Sequence, residues 1–299
     1  MTTPRRVLLA IGETMAMVAP AVAERLTDAI VFQVDAGGAE SNVAAHVASF
    51  GHSARWFSRL GDDPLGHRIV RQLAARGIDV SSVVLDGQHP TGVYVKDPGR
   101  GVRYYRAGSA ATRLSADDAA GVDFGGVSIL HVSGITAAIS GSAAAFLDAV
   151  IGAAQDAGVG VSFDVNHRAP LWDATAAAPA LLALARRADV VFVGRDEAET
   201  LWGTTDATSV RALLPEVAEL VVKDGDVGAT VFTADDTVFE PARPVEVVEV
   251  VGAGDAFAGG YLGALLDGAP LAERLRRGHA RAALTLQTTS DFVDERYPS

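Results

Sequence analysis

Asp255 follows three small residues in the stretch EVVGAGDAFAGG, Glu249 to Gly260. A strand-like run ends at Val251, and helical spacing continues through Phe257, Tyr261 and Leu265. Gly252, Ala253 and Gly254 then stand at a helix start, where backbone N–H groups lack intrahelical partners and the helix dipole attracts an anion such as phosphate. A carboxylate beside bound phosphate is unfavourable unless it has a task, such as accepting the proton of a hydroxyl that attacks phosphorus. Taken alone, the segment fits equally well a Gly-rich strand-to-helix turn with Asp255 as a first-turn charge.

Other chemistry-bearing residues fall where strands are expected to end: Glu13, Asn166, Arg168, Lys223 and Gly252. Ligands of open α/β sheets bind beyond such carboxyl ends. Lys223-Asp224-Gly225 with Gly228 forms a flexible turn that suits the phosphates or base of a nucleotide, or serves only as a strand-to-hairpin turn. In Arg103-Tyr104-Tyr105-Arg106, strand alternation puts Tyr104 and Arg106 on one face. A guanidinium there suits a carboxylate, with a solvated edge strand as the plain alternative. Arg168 in DVNHR supplies a second cation.

Several chemistries are absent. The two lysines, Lys96 and Lys223, each follow Val, so no P-loop exists. No G-x-G-x-x-G follows the first strand, no G-x-S-x-G elbow occurs, and no H-E-x-x-H pairs the 7 His. His46, His52 and His67 read as surface residues of helices or turns. With 0 Cys, disulfides, thiolate nucleophiles and zinc-thiolate sites are excluded, which fits a reducing cytoplasm. A net charge of −12 opposes nucleic-acid or anionic-membrane partners.

The elements that must position these residues alternate regularly. The 299 residues, 49% hydrophobic, suffice for one large α/β domain. Glu13 interrupts the first apolar run, and Val7–Ile11 reads as a buried strand rather than part of a secretory leader. Small and polar residues also break the uncharged stretch from Phe124 to Leu147, giving a strand and a helix in place of a membrane span. Met15–Val18 pairs with Ala29–Val34, and Thr91–Lys96 pairs with Val102–Arg106 around DPGRG, so two hairpins make a small sheet. Helices are expected over Ala39–Phe50, from Pro64, and over Ser142–Ala157, Ala176–Arg187 and Asp196–Trp202, with two more from Ala253 and Leu271. Strands are expected at Ala54–Leu60, Val127–Val132, Gly160–Val165, Val190–Val193, Leu220–Lys223 and Glu246–Val251, with a hairpin at Ala229–Thr233 and Thr237–Phe239. Strands alternating with helices imply a mainly parallel central sheet with helices on both faces.

Gly37-Gly38-Ala39-Glu40-Ser41-Asn42, Leu60-Gly61-Asp62-Asp63-Pro64 and Gly252-Ala253-Gly254-Asp255 together resemble the signatures of the ribokinase-like (PfkB) carbohydrate kinases, over essentially the whole chain. The resemblance implies a three-layer ribokinase-like α/β fold. It also implies a single domain, 1–299, with lid strands inserted from about 14–36 and 91–107. By it, Gly252, Ala253 and Gly254 form the anion hole and Asp255 is the catalytic base. Gly38, Asn42, Tyr94, Tyr104, Arg106 and Arg168 hold the sugar together with Asp255. Gly194, Lys223, Gly225, Gly228 and His279 line ATP, and Glu197 serves Mg²⁺ through water. A monovalent cation also follows from it and, together with the apolar lid strands, a homo-oligomer joined through the lid; the cytoplasmic location rests on the lack of cysteine.

Within the family, GGAESN, TGVYVK, RYYRAGSA, HVSGIT and DVNHRAPLW resemble the kinases that phosphorylate the terminal hydroxyl of 2-keto-3-deoxygluconate. The alternatives are a kinase for a neutral sugar of the fructose or ribose type or a nucleoside, and a non-catalytic sugar or nucleotide sensor. The chain departs from the family pattern at Glu249-Val250, at Gly194 and His279, where Asn is frequent, and at TTSDF, which lacks an expected Gly.

Overall fold

The computed structural model describes residues 6–22, 24–288 and 290–292. The first strand, β1 (Val7–Ile11), is buried on both faces. β2 (Met15–Pro20) and β3 (Phe32–Gly37) pair antiparallel outside the main sheet. α1 (Ala39–Ser49) stops before Gly51, whose φ of +85° suits a residue without Cβ. β4 (Ser53–Phe57) returns beside β1, β5 (Arg59–Gly61) leaves it, and α2 (Pro64–Ala75) follows. The Asp63 carboxylate caps α2 by accepting the Leu65 and Gly66 N–H groups, and Pro64 opens its first turn.

β6 (Ile78–Asp79) pairs with β4 and β7 (Val84–Asp86) with β5, while β8 (Val93–Asp97) and β9 (Gly101–Tyr105) form the second hairpin. After the short α3 (Ala116–Ala119) come β10 (Val127–Ser133), α4 (Gly134–Ile139), α5 (Gly141–Asp156) and β11 (Gly160–Asp164). α6 (Ala174–Ala185), β12 (Val190–Gly194), α7 (Arg195–Trp202), α8 (Ala207–Leu213) and β13 (Glu219–Asp224) continue the alternation. β14 (Gly228–Phe232), β15 (Thr237–Pro241), α9 (Ala253–Leu266) and α10 (Leu271–Leu286) complete it.

The main sheet has the order β15-β14-β13-β12-β11-β10-β1-β4-β6, parallel except at β14 and β15. Leu9 and Ile11 point into a core with Phe146, Leu147 and Leu181 of α5 and α6, whereas Leu8 and Ala10 point into one with Val43, Phe257 and Tyr261 of α1 and α9. This two-sided burial explains why the central strands are nearly uninterrupted apolar runs. The two hairpins join through a parallel β2–β8 pair into a four-stranded sheet, β3-β2-β8-β9, with Met15, Met17 and Tyr94 as its own small core.

Three expectations need correction. Ala54–Leu60 is not one strand: Ser58 intervenes and accepts the Val84 N–H, so the chain changes partners from β1 to β7. Glu246–Val251 is irregular, because its bonding partner is a helix end: the Val248 and Glu249 N–H groups reach only the Leu286 carbonyl. His46 is fully buried, since α1 is covered on that side by α9 and α10, and burial holds its imidazole well below the ordinary range.

Candidate active site

The order of strands reverses between the paired strands β1 and β10, and a crevice lies beyond their carboxyl ends. Gly12 is needed there, because a Cβ would fall 2.0 Å from Glu40 Cδ. Glu40 itself is buried and accepts Ser133 Oγ at 2.6 Å and Thr136 Oγ1 at 3.3 Å. Burial raises its carboxyl to about 7 against these bonds.

One cleft above this crevice is lined by Gly38, Asn42, Tyr94, Tyr104, Arg106, Arg168, Gly252 and Asp255. The structure thus brings together all the residues expected to face a sugar. Asp255 is mostly buried in the first turn of α9 and accepts Asn42 Nδ2 at 3.0 Å. Burial raises its carboxyl to about 7; the Asn42 bond and Arg168 oppose the rise, and Asp164 and Asp291 add to it. Arg168 is exposed to the cleft, carried by a turn that includes Asn166 at φ 42°, a left-handed conformation that Asn tolerates. Tyr94 and Tyr104 lie with ring centroids 5.9 Å apart, and the Arg106 guanidinium sits 5.7 Å over the Tyr104 ring.

Arg106 is not the unencumbered cation the strand pattern suggests. It pairs with the buried Glu13 Oε2, and Glu13 Oε1 accepts Ser109 Oγ at 2.7 Å. A second cleft is lined by Gly194, Lys223, Gly225, Gly228, Ala253, Gly254 and His279, with Val245, Val247, Phe257 and Leu286 as apolar walls. The two clefts meet at the turn Gly252–Asp255, with Gly252 and Asp255 facing the first and Ala253 and Gly254 the second.

Gly252 has φ +85° and caps α9. The three N–H groups of the turn are not equally open: that of Ala253 reaches the Val250 carbonyl at 3.3 Å. Gly252→Ala should cost about 1–3 kcal/mol of stability, from the left-handed backbone and from a Cβ only 3.0 Å from Asp291 Cα. Chemical denaturation and turnover measured together should show both falling.

Beneath the second cleft, Lys223 Nζ contacts Asp164 Oδ2 at 3.0 Å. Burial works to lower the Lys223 ammonium, but Asp164 and Glu197 outweigh it and hold it above its ordinary value. Glu197 accepts the Gly194 N–H at 3.1 Å and the His167 N–H. Burial and Asp164 push Glu197 to about 7 despite Lys223 and these bonds. No group of three or more His, Asp or Glu side chains poised for a metal occurs among the described residues. His279 packs edge-on to Phe257 and bonds the Glu240 carbonyl through Nε2 at 3.1 Å.

The residue-by-residue reading missed Asp164, Asp291 and Lys96, and left Glu13 without a partner. Asp164 opens DVNHR and Asp291 lies in TTSDF, so each stood beside a motif already singled out.

A buried carboxylate at a helix start, between a polar cleft and a partly apolar one on a doubly wound sheet, is an arrangement that suits phosphoryl transfer. The chain belongs to the pfkB family of carbohydrate kinases, whose pattern matches residues 6–294. It is 35% identical over 290 residues to the 2-dehydro-3-deoxygluconokinase of Bacillus subtilis (strain 168), covering 94% of this chain and 90% of that one. It is 32% identical to the 2-dehydro-3-deoxygalactonokinase of Haloferax volcanii over 96% of this chain and 92% of the relative. The crystal structure of 2-dehydro-3-deoxygluconokinase from Thermotoga maritima superposes with a TM-score of 0.87 at 26% identity, covering 97% and 95% of the two chains.

Proposed function

We propose that this carbohydrate kinase transfers the γ-phosphoryl group of ATP to the terminal hydroxyl of 2-keto-3-deoxygluconate. The observation that supports it best is the pairing, in one cleft, of the Asp255 carboxylate with the exposed Arg168 guanidinium. A sugar acid presents a carboxylate for the cation and a hydroxyl for the base. A neutral ketose offers Arg168 no anion, which disfavours the fructose and ribose readings.

In this reading Asp255 orients the hydroxyl and takes its proton as the bond to phosphorus forms. The N–H groups of the turn Gly252–Gly254 and the Lys223 ammonium receive the charge that develops on the phosphoryl oxygens. The apolar walls around Phe257, with His279, Gly194, Gly225 and Gly228, hold the nucleotide. Glu197 and Asp164 form an oxygen donor pair that fits Mg²⁺ held through water, and the ion's contribution is to neutralise phosphate charge. The family likeness extends the proposal to a monovalent cation, checked by comparing rates in potassium and tetramethylammonium salts.

The strands inserted at 14–36 and 91–107 act as a lid on a single domain, excluding water from the transfer. Their exposed Ile30, Val31, Phe32 and Tyr105 support self-association through the lid, which sedimentation of the full chain would check. No described helix is long and apolar enough to cross a membrane. We place the enzyme in the cytoplasm on its cofactor supply and lack of cysteine.

An unprotonated Asp255 is the active form, so kcat/KM should rise with pH through about 7. Asn42→Ala removes a bond that favours the carboxylate, and this limb should move to higher pH. ADP release from ATP and Mg²⁺ across sugar acids and neutral sugars tests the function. The expected order places 2-keto-3-deoxygluconate first; equal rates with fructose would sink the proposal. Comparison with the galactonate epimer decides the stereochemistry.

A further inference from the structure

Arg168 reaches the sugar cleft from a loop that leaves β11 at Asp164 and enters α6 at Asp173, whose carboxylate caps that helix. Arg168, Ala169 and Pro170 are exposed, so the shape of the loop depends on how its base is held. Asn166, in its left-handed conformation, turns the start of the loop, and the next N–H, that of His167, meets the Glu197 carboxylate. At the other end stands Trp172, which packs against the core of α5 and α6. The His167 imidazole spans the loop between them: Nε2 lies 3.1 Å from the Trp172 carbonyl oxygen. A carbonyl only accepts, so Nε2 carries the hydrogen and donates it. Inside this span the Leu171 N–H closes a smaller turn on the Arg168 carbonyl at 2.8 Å. His167 itself lines neither cleft.

We propose that His167 is a positioning residue whose imidazole clamps the loop 167–172 shut and so aims Arg168 at the carboxylate of the sugar acid. This rests on the reading of Arg168 as the group that meets that carboxylate. The main chain and the side chain of one residue hold both ends of the loop, the first on Glu197 and the second on Trp172. Pro170 and Leu171, inside the clamped stretch, form part of the cleft wall beside Arg168. Opening the clamp would free the loop and let the guanidinium leave its place. A cation aimed in advance loses less freedom when its anion binds. The base stands on α9, outside this loop, so the clamp serves recognition and leaves the chemical step alone.

The test uses the full chain with His167→Phe and His167→Gln, each alone and in the Arg168→Gln background. Phe keeps a ring and the backbone bond to Glu197 but has no donor, whereas the Gln amide offers an N–H in place of Nε2. In the unliganded protein, hydrogen exchange of the Leu171 amide should speed up roughly fivefold or more in His167→Phe and stay within about twofold of the parent in His167→Gln. With ATP, KM for 2-keto-3-deoxygluconate should rise about 3–10-fold in His167→Phe, the range of one neutral hydrogen bond, while kcat and the KM for ATP stay within about twofold. His167→Gln should restore the parent KM. In the Arg168→Gln background His167→Phe should add less than about twofold, because the clamp acts through Arg168. If His167→Phe does not fold, His167→Leu carries the same expectation. Unchanged Leu171 exchange or sugar-acid KM in a folded variant, a full second loss in the Arg168→Gln background, or equal damage to kcat and the KM for ATP overturns the proposal. A parent enzyme that transfers no phosphoryl group would instead refute the assigned function, and exchange would still decide the clamp.

Discussion

Asp255→Asn is expected to lower kcat by roughly 10³-fold or more while raising thermal stability above neutral pH. The loss follows from removing the carboxylate in the first turn of α9, where the two clefts meet, that takes the hydroxyl proton in this reading. The gain follows from linkage. Burial holds the folded-state carboxyl at about 7, above its ordinary value of 3.8, so the folded chain binds this proton more tightly than the unfolded chain does. Stability contributed by that proton is fully present below the unfolded value and disappears as pH rises through 7. At pH 8 the buried charge therefore opposes folding, by at most about 4 kcal/mol. Asn keeps the shape and accepts the same Asn42 bond without the charge. Calorimetry at pH 8 should show a higher Tm for the variant, and at pH 4 a much smaller difference. Near-parental turnover would remove Asp255 from its role.

Arg168→Gln is expected to lower kcat/KM for the sugar acid by about 10–100-fold and to leave a neutral ketose nearly unaffected. A charge-assisted bond is worth about 1.5–3 kcal/mol, which sets that range. Arg168 also favours the charged form of Asp255, so both substrates should be compared well above pH 7, where the base is unprotonated in either protein. Arg106→Ala is a poorer probe. It would strand the Glu13 charge in a buried site at a cost of about 3–5 kcal/mol, and lost folding would mask lost recognition. Equal damage to acid and ketose in Arg168→Gln would mean that Arg168 does not read the carboxylate.

Local rules carried much of the architecture. Gly51 and Gly77 stop helices with φ near +85°, Asp63-Pro64 opens one, and the apolar runs at Val127 and Gly160 lie in the sheet as expected. Partnership between distant segments was not legible. Nothing in Ser53–Gly61 shows that the chain changes neighbours at Ser58, and the valines of Glu246–Val251 have strand propensity but no strand to join. His46 looked like a surface residue because the helices that cover it come more than two hundred residues later. The candidate site divides in the same way. Residues in turns rich in Gly, such as Gly38, Gly225 and Gly252–Asp255, announce themselves, because a close backbone approach needs a missing Cβ. Ion pairs such as Glu13–Arg106, Asp164–Lys223 and Lys96–Asp291 join positions with no shared pattern, and only the fold reveals them.

The central claim is that Asp255 aims the terminal hydroxyl of a sugar acid at the phosphoryl group held by the adjoining turn. It is tested most directly by the phosphorus and carbon NMR spectra of the product formed from ATP and 2-keto-3-deoxygluconate. The account predicts one phosphate monoester whose phosphorus couples to the terminal carbon, formed by the parent enzyme and missing with Asp255→Asn. Phosphorus coupled to any other carbon, or inorganic phosphate as the sole new species, would contradict it.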